Sequence, residues 1–134
     1  MNKLLNFFNT RDRFAKANGI TLVEIKPGYA RAVLKAEERH LNGVDTVQGG
    51  ALFTLADLAF AAAANSHGTV AVALNVNISF LKAGLSGQTF TAEARENSKS
   101  SKIGSYTVEV RNEKNELAAL FQGTAFRKDQ LLPL

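Results

Sequence analysis

From Ala51 to Ala64 the chain is apolar except for Thr54 and Asp57. No other segment restricts the fold as strongly. The spacing predicts one long helix, about Gly50 to Ser66, opened by Gly49-Gly50 and ended at His67-Gly68, where Gly68 suits a left-handed cap. A helix apolar nearly all the way round must be covered on most sides. It is shorter than the roughly 20 residues a bilayer span needs, so cover must come from protein.

The rest of the chain supplies that cover as strands. Ile20 to Lys26 and Tyr29 to Lys35 flank Pro27-Gly28 and predict a hairpin. Glu37 to Val47 is polar, carries Asn42-Gly43 and reads as a loop. After Gly68 the period falls to two. Val70–Leu81, Gln88–Glu96, Ile103–Arg111 and Leu117–Arg127 are predicted strands, with Phe90, Ala92, Ala94, Tyr106, Val108 and Val110 inward. The result is an α+β fold, a mostly antiparallel sheet wrapped around one buried helix. The helix's far side has no second long helix to cover it, which predicts a partner subunit, usually an identical one.

The 134 residues fit one domain, 1–134, with 1–19 as an N-terminal helical segment. Met1 to Phe8 is expected to be a short amphipathic helix rather than a signal peptide, because polar residues cut off any apolar region and no small-residue cleavage site follows. Asp12 to Asn18 is a second short helix stopped by Gly19. Cysteine is absent, which removes thiolate nucleophiles and Cys-based metal sites and fits a cytoplasmic location. The net charge of +4 favours anionic partners weakly. With no nucleic-acid motif, a phosphate-bearing small molecule is the better match.

Asp57 is the residue that points to chemistry. A bare carboxylate among Leu55, Ala56, Leu58, Ala59 and Phe60 costs several kcal/mol unless it is hydrogen-bonded or protonated. It is either a buried Asp tied to a backbone or Ser/Thr donor, or a reactive group at a cleft. Gly49-Gly50 places unpaired N–H groups at the positive end of the helix dipole, where a ligand oxygen can approach closely. That is either an oxyanion hole or a tight entry into a crowded helix. Seven residues at about 100° each bring Asp57 back to the face of Gly50, two turns on. Asn42 is a third polar group, or an ordinary Asn-Gly turn.

His40-Leu41-Asn42-Gly43, then Gln48-Gly49-Gly50-Ala51-Leu52-Phe53-Thr54-Leu55-Ala56-Asp57, resembles the hotdog thioesterase signature. It is closest to the PaaI-like branch of phenylacetate degradation. The likeness continues through Phe60 to Gly68, Asn77 to Lys82, Gly104-Ser105-Tyr106 and Ala118 to Gly123. It implies an acyl-CoA thioesterase acting on an aryl-acetyl or medium acyl group without a cofactor or metal. By resemblance, Asp57 is the catalytic base or nucleophile, the Gly49 N–H polarises the carbonyl, and Asn42 orients the carbonyl or water. Asp comes from one subunit and Asn and Gly from the other, so a homodimer is the minimal active unit and a homotetramer the expected assembly.

The candidate substrate contacts are Gln48, Gly50, Phe80, Lys82 and Lys102. Lys82, Arg95, Lys99 and Lys102 fall at strand ends and are either cations for CoA phosphates or, the reading favoured for any one of them, ordinary solvated charges; the resemblance raises Lys82. Phe53 and Phe60 are candidates for the acyl pocket, with plain core packing the alternative favoured for most such residues. Gln48 departs from the family, which usually places His there; glutamine keeps a donor and an acceptor but does not titrate near neutrality. Two other activities share the fold. A non-catalytic acyl-CoA binder is motivated by Gln48. A dehydratase or hydratase needs an acid/base His, and neither His40 nor His67 falls at a helix position facing Asp57.

Overall fold

Gln48 starts the central helix. Its side chain Oε1 accepts the Gly50 N–H at 2.5 Å, capping a helix that runs Gly49–Asn65. Asn65 stops it: its Oδ1 accepts the Ala71 N–H at 2.8 Å and its Nδ2 donates to the Ala61 carbonyl at 2.8 Å, turning the chain into the next strand. The computed structural model describes residues 2–134. Its elements are α1 (Asn2–Arg11), α2 (Arg13–Ala17), β1 (Ile20–Lys26), β2 (Tyr29–Lys35), a 3-10 turn (Glu38–His40), α3 (Gly49–Asn65), β3 (Thr69–Phe80), β4 (Thr89–Lys99), β5 (Ile103–Asn112) and β6 (Leu117–Leu131).

The six strands form one antiparallel sheet in the order β1-β2-β4-β5-β6-β3. The predicted alternation holds: Phe90, Ala92, Ala94, Tyr106, Val108 and Val110 all point inward and are fully buried. Ala30, Ala32, Ala92 and Ala94 keep the middle of the sheet shallow, so the alanine-rich α3 lies close against it. Phe60 crosses that layer and stacks on Tyr106 and Phe121, with centroids 5.6 and 5.5 Å away. Gly123 makes room for it, since a Cβ there would stand 2.7 Å from the ring.

The N-terminal segment covers more than its sequence suggests. Leu4 and Phe8 of α1 are buried, and Asn9 exchanges two 2.8 Å hydrogen bonds with the backbone of Leu22 in β1. The Glu37–Val47 loop contains the 3-10 turn, which holds α2 from the other side. Arg39 Nη1 donates to the Ala17 carbonyl and His40 Nε2 to the Asn18 carbonyl, both at 2.8 Å, while His40 Nδ1 accepts the Glu37 N–H. A stripe of α3 still stays uncovered: Gly50, Phe53, Thr54, Asp57 and Ala61 are all partly or fully exposed. Beside it, β3 is a free edge twelve residues long that exposes Val72, Leu74 and Phe80.

Candidate active site

Asp57 sits on the open stripe of α3, half-buried, and lines a narrow cleft between α3 and β3 with Phe60, Ala61, Ala64 and Val72. Its carboxylate has no hydrogen-bond partner among the described residues. Of the two readings of this residue, the buried, internally satisfied carboxylate is therefore absent from the protomer. Burial pushes the Asp57 carboxyl above the usual carboxylate range, and the Asp12 charge nearby adds to the shift.

The helix mouth forms a second, more open cleft of about 550 Å³ lined by Asn42, Gln48, Gly49, Gly50, Phe53 and Phe80. The backbone amides there are not equivalent. The Gly50 N–H is occupied by Gln48 and the Ala51 N–H by the Gln48 carbonyl at 2.9 Å. The Gly49 N–H donates to nothing among the described residues and remains at the positive end of α3. Phe80 lies against Gly49 so closely that a Cβ on residue 49 would stand 3.0 Å from its ring. Gln48 and Gly50 thus face the cleft as a capped pair rather than as two free donors.

Asn42 reaches this cleft, but mostly as a brace. Its Oδ1 accepts the Val44 and Thr46 N–H groups at 3.0 and 3.1 Å, and its Nδ2 donates to Thr46 Oγ1 at 2.9 Å. One Nδ2 proton is left over. The local turn and the cleft position therefore coexist in the same residue.

Within one protomer these groups do not meet. Gly49 and Asp57 are eight residues apart on one helix, about 12 Å along its axis. The two lysines are also separated. Lys82 packs at the start of β6, where its N–H reaches the Ala118 carbonyl, whereas the Lys102 carbonyl accepts the Arg127 N–H at the other end of that strand, about 30 Å away. Lys82 pairs with Glu116 at 3.5 Å and Lys102 with Asp129 at 3.0 Å. In this protomer Lys82 and Lys102 each sit as a strand-end charge paired with a carboxylate, the ordinary role such residues take. Phe60 is buried core and also borders the Asp57 cleft, while Phe53 alone of the two lines the helix-mouth clefts.

One polar cluster had no sequence signal. Glu96 Oε2 accepts hydrogen bonds from Tyr106 Oη at 2.7 Å and from His67 Nε2 at 2.8 Å. The β4–β5 register puts Glu96 directly opposite Tyr106, a pairing no spacing rule reveals. Burial pushes the Glu96 carboxyl up, but the Tyr106 and His67 hydrogen bonds and the His67 and Arg127 charges outweigh it and hold it below the usual range. Both histidines are thereby engaged away from Asp57. Among the described residues, no three His, Asp or Glu side chains gather as a metal site requires.

A six-stranded antiparallel sheet wrapped on one buried helix, with a free amide at the helix mouth and an unpaired carboxylate two turns on, defines a hotdog-fold protein. The family model described as Thioesterase superfamily matches residues 45–119. Acyl-coenzyme A thioesterase PaaI of Escherichia coli (strain K12) is 40% identical over 116 residues, covering 87% of this chain and 83% of its own. The solved structure of the E. coli PaaI protein from the phenylacetic acid degradation operon superposes with a TM-score of 0.93 at 36% identity, covering 96% of this chain and 94% of that one. The structure of smu.793 from Streptococcus mutans UA159 bound to acetyl CoA gives 0.80 at 25% identity, covering 84% and 91%. This chain belongs to the thioesterase superfamily and is a thioester hydrolase of the PaaI-like kind.

Proposed function

We propose that the protein hydrolyses an aryl-acetyl-CoA or medium-chain acyl-CoA to the free acid and CoA, at a site shared by two protomers. Asp57 of one protomer and Gly49 of the other face the same thioester. The ionised Asp57 takes a proton from water as the water oxygen attacks the carbonyl carbon. The oxyanion of the tetrahedral intermediate accepts the Gly49 N–H at the positive end of α3. The C–S bond then breaks, the CoA sulfur leaves, and the proton held by Asp57 neutralises it. Sulfur is a good leaving group, so one carboxylate, one water and one oxyanion donor suffice. The spare Nδ2 proton of Asn42 orients the carbonyl from the same loop.

The observation that carries this reading is the combination of an unpaired carboxylate and an unpaired amide on the open stripe of α3, about 12 Å apart in one protomer. A two-fold axis beside that stripe sets one helix antiparallel to its copy and brings each Asp57 to the other's Gly49. The free edge of β3 supports the same arrangement, because a long exposed edge with apolar side chains favours pairing with a second copy. The relatives that act on or bind acyl-CoA and acetyl CoA support the substrate class.

Thiol release from a panel of acyl-CoAs, read with a thiol-reactive dye, tests the proposal. Asp57→Ala should lower kcat by about a hundredfold or more, the span of a lost general base. Undiminished turnover would remove the mechanism. Tight acyl-CoA binding by calorimetry with no cleavage by the unmodified protein would favour the non-catalytic binder instead.

A further inference from the structure

A further cleft also opens at the helix mouth. It encloses about 520 Å³ beneath α2 and is lined by Phe14, Ile20, Leu41, Ala51 and Phe53 among others. It shares Gln48, Gly50 and Phe53 with the cleft that passes Phe80, so the two join at the N-terminus of α3. We propose that the acyl group of the substrate enters the cleft beneath α2 while the pantetheine arm leaves past Phe80, making Phe14 a specificity-determining residue. This rests on the thioesterase reading above.

The assignment of the two arms follows from their chemistry. An acyl chain or aryl ring has no hydrogen bonds to lose and is favoured in the more enclosed of the two clefts, both of which are largely apolar although Asn18, Arg39, His40 and Thr54 also line this one. A pantetheine arm carries two amides and ends in phosphates, which need the more open route. The wall itself is a built feature. Phe14 is 68% exposed, more than any other aromatic among the described residues, and it stands on a helix too short to persist by itself. Asp12 caps that helix by accepting the Ala15 N–H at 3.1 Å. Arg39 and His40 then grip its last carbonyls. Three polar side chains are thus spent to hold α2 beside the helix mouth, with the Phe14 ring lining the cleft rather than buried in the core.

The test compares kcat/KM for phenylacetyl-CoA, hexanoyl-CoA and acetyl-CoA in the unmodified protein, Phe14→Ala and Phe14→Leu. Phe14→Ala should lower kcat/KM for the two bulky substrates by about tenfold and leave acetyl-CoA within about twofold, because acetyl does not reach the ring. Phe14→Leu should recover most of the loss. Parallel changes on all three substrates, or none on any, would overturn the proposal while leaving the thioesterase reading intact. Absence of cleavage of all three by the unmodified protein would overturn both. Phe14 is largely solvent-exposed, so its truncation leaves the fold in place; the circular dichroism melt of each variant checks this.

Discussion

A carboxylate set among Leu55, Ala56, Leu58 and Ala59 loses hydration and, in Asp57, gains no hydrogen bond in return. Burial therefore raises its pKa. The consequence for stability follows from the sign. A folded-state value above the ordinary one means that the protonated form stabilises the fold at low pH, and that this contribution is lost as pH rises through the raised value. At neutral pH the ionised Asp57 thus costs stability. Asp57→Asn should abolish turnover yet raise Tm by a few degrees in differential scanning calorimetry, the usual trade between a reactive group and a stable fold. In the unmodified enzyme, kcat should climb with pH along a limb lying above the normal carboxylate range, since only the ionised form accepts a proton. A limb at the ordinary Asp value, or a lower Tm for the Asn variant, would contradict this account.

Glu96 behaves in the opposite sense and belongs to the scale of elements. It joins the loop after α3, through His67, to β4 and β5. Its depressed pKa contributes stability that is present above the ordinary carboxylate range and lost as pH falls through the depressed value. Tyr106→Phe removes a buried hydroxyl bonded to that carboxylate and should cost about 1.5–3 kcal/mol in chemical denaturation, with the denaturant slope unchanged. An unchanged midpoint would show that the bond contributes little. The edge strand β3 yields a different prediction. Leu74 is 59% exposed on it. Leu74→Lys should shift the protein toward monomer in analytical ultracentrifugation and lower activity in proportion, because charge on an edge opposes pairing. A fully active monomer would exclude the shared site.

At the scale of the whole molecule, helix geometry is what motivates the proposed division of the site between two protomers. One helix carries both the amide and the carboxylate, but on one rigid rod they stay about 12 Å apart, beyond the reach of a single thioester. In the proposed reading a second copy closes that gap. Mixing Asp57→Ala with Gly49→Val, refolded together, should therefore restore about a quarter of normal activity, since half of the dimers are mixed and each mixed dimer keeps one intact site. Each variant alone should be inactive. No recovery on mixing would place both groups in one protomer's own reaction.

Local chemistry determined much of this in advance. The apolar run made α3 buried, the period of two placed Phe90, Ala92, Ala94, Tyr106, Val108 and Val110 inward, and Pro27-Gly28 marked the first hairpin, because each depends on residues adjacent along one element. The isolated carboxylate of Asp57 and the doubled glycine stood out for the same reason. Tertiary structure alone decided what depends on distant segments meeting: that Gln48 takes the Gly50 amide and leaves that of Gly49 free, that Lys82 and Lys102 lie at opposite ends of β6, and that Tyr106 and His67 both bond to the Glu96 carboxylate. It also decided that α2 stands beside the helix mouth. Strand register and side-chain capping set those contacts, and neither leaves a periodic trace in the chain.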